Sequence, residues 1–296
     1  MLRLAWVPIA LSFASAATAA DQGKVNDAIR KGAEYLQKTY AKAGPGAADP
    51  AGAQNPVGTM ALAGLAMLEG GIKPDDATLA AMAKSIRTNA LRATNTYDLT
   101  LSILFLDRYG HASDPPMIQL LGVRLYAGMN VVGGWTYSSW PEVPPVEAER
   151  LAGAIYGAAP TAKGKLHPEA GRQLIAVRQG IVARGRRGVG DDNSCTQFGV
   201  IGSWIAAKHG LPILDTFPIV EERFLRTQNR NDGGWGYQTE NGNSTAAMTC
   251  AGLLGLTLGG AKKQPAAEEP KPGDPDKPNP NDAFFNPKPK EPPAGN

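Results

Sequence analysis

Hydrophobic and polar residues alternate between two helical patterns along residues 21–260. In the first pattern, apolar residues recur every three or four positions with polar residues between them, as from Val25 to Tyr40 and from Leu79 to Ala90. This spacing predicts amphipathic helices with one solvated face. In the second pattern, helices are apolar on every side, and we expect them to be buried all round. These apolar segments are 60–68, 99–106, 198–207 and 250–258.

The two patterns come in pairs, which predicts a chain of helical hairpins. Each apolar helix follows a small polar cluster around an Asn and ends at a Gly, residue types that favour helix starts and ends. The Asn and Gly pairs are Asn55 and Gly70, Asn95 and Gly110, Asn193 and Gly210, and Asn243 and Gly259. Repetition at this scale is typical of stacked repeats, so we predict an all-α fold. Its four hairpins would span residues 25–70, 74–110, 115–210 and 213–259.

A second repeat marks hairpins 3 and 4. Gly133-Gly134-Trp135-Thr136-Tyr137 returns as Gly233-Gly234-Trp235-Gly236-Tyr237. Paired glycines let the backbone approach an indole closely. We therefore expect Trp135 and Trp235 to be largely buried, each packed on the end of the preceding hairpin.

Hairpin 3 carries an insertion of about 50 residues, roughly 141–190, because Trp135 lies much farther from Asn193 than Trp235 does from Asn243. Segments from Val146 to Tyr156 and from Leu174 to Val182 have helical spacing, so we expect the insertion to be partly helical. We also expect it to cover the mouth of the repeat domain as a lid. In that position its arginines would hold Asp191 and Asp192 ionised.

The two ends of the chain differ from its centre. Arg3, the apolar run from Leu4 to Ala16 and the Ala17-Thr18-Ala19 site predict a signal peptide at residues 1–20, and therefore export to the periplasm or the extracellular space. Residues 261–296 contain ten Pro in 36 positions, which predicts a disordered tail with Phe284-Phe285 as its apolar point. The repeat domain is thus residues 21–260.

Composition narrows the functional classes. A net charge of +3 is too small to indicate a nucleic-acid partner. No stretch after the signal peptide reaches the roughly 18 apolar residues that span a bilayer, so we do not expect a membrane-spanning protein. The two cysteines do not form a CxxC pair, which argues against a zinc ribbon. Their offset on neighbouring helices argues against a disulfide.

The segment from Gln228 to Tyr237, together with the alternation of amphipathic and apolar helices, resembles the repeat of squalene cyclases and protein prenyltransferases. The segment from Asp192 to Phe198 is similar to exported bacterial members of that superfamily. The sequence departs from the motif, because Gln228 lies seven rather than six residues before Trp235 and hairpin 3 has Met129-Asn130 in place of the Gln.

The resemblance implies an α/α toroid, with amphipathic helices outside and apolar helices inside. Closed members have five to seven hairpins, so four hairpins predict an arc. The insertion or a second copy in a homo-oligomer would close it, or it would stay open.

The resemblance also implies candidates for a catalytic acid. Cyclases of the superfamily protonate substrate with an Asp-x-Asp-Asp motif, and Val189-Gly190-Asp191-Asp192 matches two of its three acidic positions. Asp191 and Asp192 are therefore candidate proton donors. The alternative is helix capping, which acidic residues before a helix favour, and Ser194 and Gln197 have the spacing of a capping box.

Ligand-binding candidates lie around the repeated loops and the helix that follows the acidic pair. They are Trp135, Tyr137, Trp140, Asn193, Cys195, Trp204, Trp235 and Tyr237. A prenyltransferase-like zinc set of Asp192, Cys195 and His167 has no motif support, so no metal or cofactor is expected.

Three functions stay open. The incomplete acid motif favours an exported, non-catalytic ligand-binding or interaction module. A terpenoid-modifying enzyme using Asp191 or Asp192 is the alternative. A third is a protein acting on acidic polysaccharides, attracted by Arg178, Arg184, Arg186 and Arg187 of the insertion. The ligand would accordingly be an isoprenoid or a polyanionic glycan.

Overall fold

The computed structural model describes residues 21–43, 56–138, 143–157, 164–186, 188, 190–238 and 243–260. These residues form ten α-helices and one 3-10 turn, Ala90–Arg92, which confirms the all-α prediction. The helices are α1 Gln22–Ala43, α2 Pro56–Glu69, α3 Ala77–Asn89, α4 Thr96–Tyr109, α5 Pro115–Gly128, α6 Pro145–Tyr156, α7 Pro168–Arg184, α8 Asn193–Lys208, α9 Thr216–Thr227 and α10 Ala246–Gly260. The predicted signal peptide, the Pro-rich tail, Asn55, Trp140, Arg187 and Val189 lie outside the described residues.

The helices form two layers. Helices α2, α4, α8 and α10 stand in a row in which each packs on the next, and we name this row the first layer. Helices α1, α3, α5 and α9 make the second layer. The predicted hairpins correspond in chain order to α1–α2, α3–α4, α5–α8 and α9–α10, with α6 and α7 as the partly helical insertion in hairpin 3. Helix α3, however, packs on α2 rather than on α4.

Helix ends show where the capping predictions succeed. Asn95 caps α4 by accepting a hydrogen bond from the Tyr97 amide at 2.8 Å. Gly110 ends that helix with a φ of 73°, a left-handed conformation that glycine adopts without strain. In α8 the cap is Asp192, because Asn193 already lies in the first turn. The predicted Ser194–Gln197 capping box is therefore wrong.

The insertion packs against the second layer. Helix α7 lies mainly on α5, and α6 touches α3, α5 and the 3-10 turn alike. Helix α5 is apolar on nearly all sides, so the face that the first layer leaves uncovered needs this second cover. Tyr156 of α6 reaches the ion pair of Arg87 and Asp114, with its hydroxyl 3.3 Å from the Asp114 carboxylate. The prediction of a lid over the mouth is therefore wrong.

The first-layer helices are not buried all round, contrary to the sequence prediction. Each contacts neighbours in its own layer and the second layer behind it, but no described element covers the remaining side. Leu62 of α2 is 51% exposed and Leu253 of α10 is 55% exposed. The extra apolar residues therefore face outwards, which a core-packing argument does not explain.

None of the helices in the described part of the chain combines the length and the apolarity that crossing a bilayer requires.

Candidate functional site

The uncovered side of the first layer is an apolar surface, which we name the open face. Its side chains recur at helical spacing on all four helices and are half-buried or exposed. They are Leu62, Leu65 and Ala66 of α2; Tyr97, Leu101 and Leu104 of α4; Phe198, Ile201 and Trp204 of α8; and Cys250 and Leu253 of α10. From Tyr97 to Leu104 this surface extends about 10 Å along the helix axis, at a rise of 1.5 Å per residue.

The four helices run in the same direction, so their starts share one edge of the open face and their ends share the other. Side chains link α2 with α4, and α4 with the α8 hairpin, at both edges. At the starts, the Gly58 amide bonds Asp98 and the Tyr97 hydroxyl bonds Ser194. At the ends, Arg108 pairs with Glu69 at 2.5 Å and His209 lies 2.6 Å from Asp107.

The edge formed by the helix starts carries three tyrosines and one phenylalanine. We name Tyr97, Tyr137, Phe198 and Tyr237 the tyrosine cluster. The hydroxyls of Tyr137 and Tyr237 lie 2.8 Å apart, and these residues are 51% and 42% exposed. The ring centroids of Tyr97 and Phe198 are 4.6 Å apart, and those of Tyr97 and Tyr137 are 5.6 Å apart.

The phenols of Tyr97 and Tyr237 are neutral at physiological pH. Burial raises the pKa of Tyr97 above its ordinary value. The hydrogen bond with Tyr137, followed by burial, raises the pKa of Tyr237 in the same direction. The cluster therefore offers O–H donors and aromatic surface without charge.

The opposite edge is charged. Besides the pairs Arg108–Glu69 and His209–Asp107, the Lys208 ammonium lies 4.6 Å from the centroid of the Trp204 ring. The open face thus runs from neutral hydroxyls, across aliphatic and aromatic side chains, to charges.

The indoles of the repeated loops lie behind this surface. Trp135 and Trp235 are each 1% exposed. The Trp135 Nε1–H donates to the Leu125 carbonyl at 2.8 Å, and the Trp235 Nε1–H donates to the Phe224 carbonyl at 3.0 Å. Burial of both indoles confirms the prediction, but each packs between the two helices of its own hairpin rather than on the hairpin before.

Close packing by glycine explains this placement. A Cβ at Gly199 of α8 would overlap the Trp135 ring, and one at Gly252 of α10 would overlap the Trp235 ring. Both indoles are therefore enclosed, which leaves no ring surface for a ligand. Of the sequence candidates, Tyr137, Tyr237 and Trp204 lie on the open face, whereas Asn193 and Cys195 are buried.

The hydrogen bonds of the two loops show which of their residues are equivalent. Asn130 and Asn229 hold equivalent positions, since the amide of each donates to the carbonyl of the second Gly in its loop. Two residues separate Asn130 from Gly133, whereas three separate Asn229 from Gly233. Met129 therefore occupies the place of Gln228, and the extra residue lies inside the fourth loop.

Asp191 belongs to a buried ion pair. Its two oxygens accept from Arg223 of α9, with Nη2 to Oδ1 at 2.8 Å and Nε to Oδ2 at 3.1 Å. The Asn130 amide adds a third donor at 3.1 Å. Side chains of Asp191 and Arg223 are 2% and 0% exposed. The predicted arginine partner thus comes from α9 and not from the insertion, because the insertion lies on the second layer.

Asp192 and its neighbours fix the start of α8. The Asp192 carboxylate accepts from the Cys195 amide at 2.7 Å. The Asn193 side chain donates to the Gly236 carbonyl at 2.7 Å and accepts from Arg223 at 2.8 Å. Burial, followed by the interaction with Asp192, raises the pKa of Cys195 to about 12, so this thiol is not a reactive thiolate.

Sequence reasoning missed Asp98. This residue is 6% exposed, and its carboxylate accepts from the Gly58 amide in the first turn of α2 at 2.9 Å. Burial raises its pKa to about 6. One signal was available, since Asp98 is a lone acid directly before the apolar segment 99–106.

The zinc set of Asp192, Cys195 and His167 does not assemble. The His167 amide donates to Gln119, whose side chain also donates to the His209 carbonyl at the end of α8. Asp192 and Cys195 lie at the start of that 16-residue helix, about 24 Å away along the axis. Within the described ranges, no three His, Cys, Asp or Glu side chains lie close enough together to hold a metal ion.

Two of the candidate arginines of the insertion contact other parts of the fold, whereas Arg184 is exposed. Arg178 donates to the Pro212 carbonyl at 2.6 Å and lies 3.5 Å from Asp215. Arg186 donates to the Tyr126 carbonyl at 2.9 Å, with its guanidinium 4.5 Å from the centroid of the Tyr126 ring. These two guanidinium groups contact protein rather than form an open basic surface.

No protein-family model matches this chain, and neither a curated protein nor a solved structure is significantly similar to it. The open face and its two edges are therefore the basis for a functional proposal.

Proposed function

We propose that this chain is an exported, non-catalytic module that binds an elongated apolar ligand of isoprenoid type on the open face. One observation carries the proposal: four adjacent helices present apolar side chains on the side that no described element covers. Soluble monomers rarely expose a large contiguous apolar patch, and such patches mark interaction sites.

The distribution of polar and apolar groups on the patch favours a small apolar ligand over a polar one. Apart from the Cys250 thiol and the half-buried Gln197 side chain, its middle contains aliphatic and aromatic side chains, and the other polar groups lie at its two edges. Binding sites for small molecules have this distribution, with an apolar lining and a few polar groups that fix orientation.

The acidic pair supports binding rather than acid catalysis. Both Asp191 oxygens accept hydrogen bonds from Arg223, and Asp192 caps α8. A proton donor must reach its substrate, but the Asp191 side chain is 2% exposed. For Asp191 or Asp192 to act on a ligand, the contacts that join hairpins 3 and 4 would have to break.

The contacts of the insertion argue against a polyanionic glycan. Arg178 and Arg186 are engaged with carbonyl groups, a carboxylate and an aromatic ring. The insertion also lies on the second layer, on the opposite side from the open face. The resemblance to squalene cyclase repeats supports the apolar ligand, since apolar helices line the inside of the toroid in that superfamily.

Displacement of a neutral apolar dye, N-phenyl-1-naphthylamine, by the C15 hydrocarbon farnesene tests the proposal. We expect the wild-type protein to bind the dye and to release it to farnesene. The variant Leu62→Glu puts a charge on the open face and should lose binding. Ile29→Glu on α1 is the matched control, because Ile29 and Leu62 are both 51% exposed.

Two outcomes would overturn the proposal. Equal loss in Leu62→Glu and Ile29→Glu would show that the dye does not bind on the open face. A dimer in sedimentation that becomes a monomer only in Leu62→Glu, without displacement of dye by farnesene, would show that a second copy covers this face.

A further inference from the structure

We infer that the open face takes a ligand with a neutral hydroxyl head group, which the tyrosine cluster binds while the apolar tail extends toward Leu104 and Trp204. This inference rests on the proposed function and names the chemical class of its ligand. It follows from the different polarity of the two edges of the open face.

The first argument is hydrogen-bonding capacity. A phenol has one O–H to donate and lone pairs to accept. Tyr137 and Tyr237 form one bond to each other at 2.8 Å, so one of their two O–H groups is left to donate. Because these residues are 51% and 42% exposed, that donor and the lone pairs are accessible to a hydroxyl group on the open face.

The second argument is charge. No described Lys or Arg lies over the ring of Tyr97, Tyr137 or Tyr237. Arg223, behind this edge, is fully buried and bonded to Asp191 and Asn193. The hydrogen bond with Tyr137 and burial raise the pKa of Tyr237, and the nearby Asp192 carboxylate acts in the same direction. A diphosphate or carboxylate head would therefore bind poorly.

The third argument is length and direction. From Ser194 beside the tyrosine cluster to Trp204, the open face extends about 15 Å along α8, at 1.5 Å per residue. Beyond Trp204 lie Lys208 and the pairs at the charged edge, which a hydrocarbon tail would avoid. An apolar tail of about three isoprene units fits between the edges.

Four probes with the same C15 tail test this inference: farnesol, farnesylamine, farnesyl diphosphate and farnesene. We expect farnesol to bind most tightly to the wild-type protein. Replacing both Tyr137 and Tyr237 by Phe removes the hydroxyls and keeps the rings. Since a hydrogen bond contributes about 1 kcal/mol, this variant should bind farnesol about 5- to 10-fold more weakly and farnesene unchanged. Tyr35→Phe on α1 is the control, because Tyr35 is 68% exposed in the second layer.

Retained farnesene binding also shows that the double variant folds. Tighter binding of farnesyl diphosphate or farnesylamine than of farnesol would overturn the head-group inference and leave the proposed function standing. Equal weakening of farnesol and farnesene in the double variant would overturn it too, because the rings and not the hydroxyls would then matter. Failure of all four probes to bind would overturn the proposed function itself.

Discussion

The start of α2 and the start of α8 meet the same requirement in different ways. In both, first-turn N–H groups of a buried helix need acceptors. At α2, the Gly58 amide donates to the carboxylate of Asp98, which forms no salt bridge with a described Lys, Arg or His. At α8, the Asn193 amide donates to the Tyr237 carbonyl, and Arg223 joins the Asn193 side chain to Asp191. We call the contact of Asp98 with the start of α2 the first junction, and it uses a carboxylate. We call the contacts at the start of α8 the second junction, and it uses a neutral carbonyl beside the ion pair of Asp191 and Arg223.

Acidic residues at the two helix starts therefore have different roles in the fold. Asp191 stands in the acid motif that the sequence suggests, yet it is a buried link between hairpins. Asp98 stands outside any motif and has the raised pKa, about 6. Burial, and not position in a motif, therefore raises the pKa of Asp98.

The largest expected effect comes from the indoles that organise the second junction. Trp135→Ala and Trp235→Ala should each lower the free energy of unfolding by about 3–5 kcal/mol, because each removes a fully buried ring. Urea denaturation followed by circular dichroism measures this change. Trp204→Ala is the control, since Trp204 is half-buried on the open face. An equal cost for Trp204→Ala would contradict the assigned difference between core and open face.

The second effect tests the ion pair. Arg223→Ala leaves Asp191 buried with Asn130 as its main donor, and should cost about 3 kcal/mol, within the range for breaking one side of a buried pair. Arg226→Ala, on the exposed side of the same helix, should be almost neutral. Both costs follow from urea midpoints at pH 7. Were the two variants equally stable, Asp191 would not depend on Arg223.

Helical periodicity was sufficient to predict the helices of the four hairpins, but not that α3 packs on α2 rather than on α4. The apolar spacing of α1 to α4 and the Asn95 and Gly110 caps are local, so the sequence carries them directly. The register of the third and fourth hairpins was harder, because Asn193 and Asn243 look alike in sequence. In the structure Asn193 lies inside α8, whereas Asn243 precedes the first residue of α10.

The candidate site was less predictable, because it depends on which side of the first-layer helices no described element covers. Apolar residues such as Leu62 and Phe198 have the same sequence signature whether a neighbour covers them or not. Arg223 is one of many arginines in the sequence, and nothing local marks it as the partner of Asp191. Tyr97 and Tyr237 come together only after the hairpins stack, although Tyr137 and Tyr237 were already marked by the loop repeat.

The third effect is a pH dependence of stability that comes from Asp98 at the first junction. Folded Asp98 has a pKa of about 6, above its ordinary value of 3.8. The folded protein therefore loses stability as the pH rises from about 4 to about 6, because the ionised carboxylate is less favourable in the fold than in the unfolded chain. Asp98→Asn keeps an acceptor for Gly58 without the charge. It should stabilise the protein by about 1–2 kcal/mol at pH 7, less than the full shift at 1.4 kcal/mol per unit, because the bond to an amide oxygen is weaker.

Urea midpoints of the wild type and Asp98→Asn at pH 4 and pH 7 give this comparison. The advantage of the variant should be small at pH 4, where Asp98 is largely protonated in the folded protein. An advantage of equal size at both pH values would indicate a packing effect and not the removal of a charge.

The smallest effect concerns Asp232, an exposed acid in the loop of hairpin 4. Its pKa is shifted in the opposite direction to that of Asp98. The Gly234 amide and the Ser244 hydroxyl lower the pKa of Asp232. Its ionised form therefore adds stability at neutral pH, and this contribution is lost as the pH falls below the ordinary range of an aspartate. Because the group is exposed to water, Asp232→Ala should lower the urea midpoint at pH 7 only slightly, and by less as the pH falls below 4. A loss as large as that of Arg223→Ala would mean that Asp232, rather than Trp235, organises this loop, and the contrast between buried and exposed acids would fail.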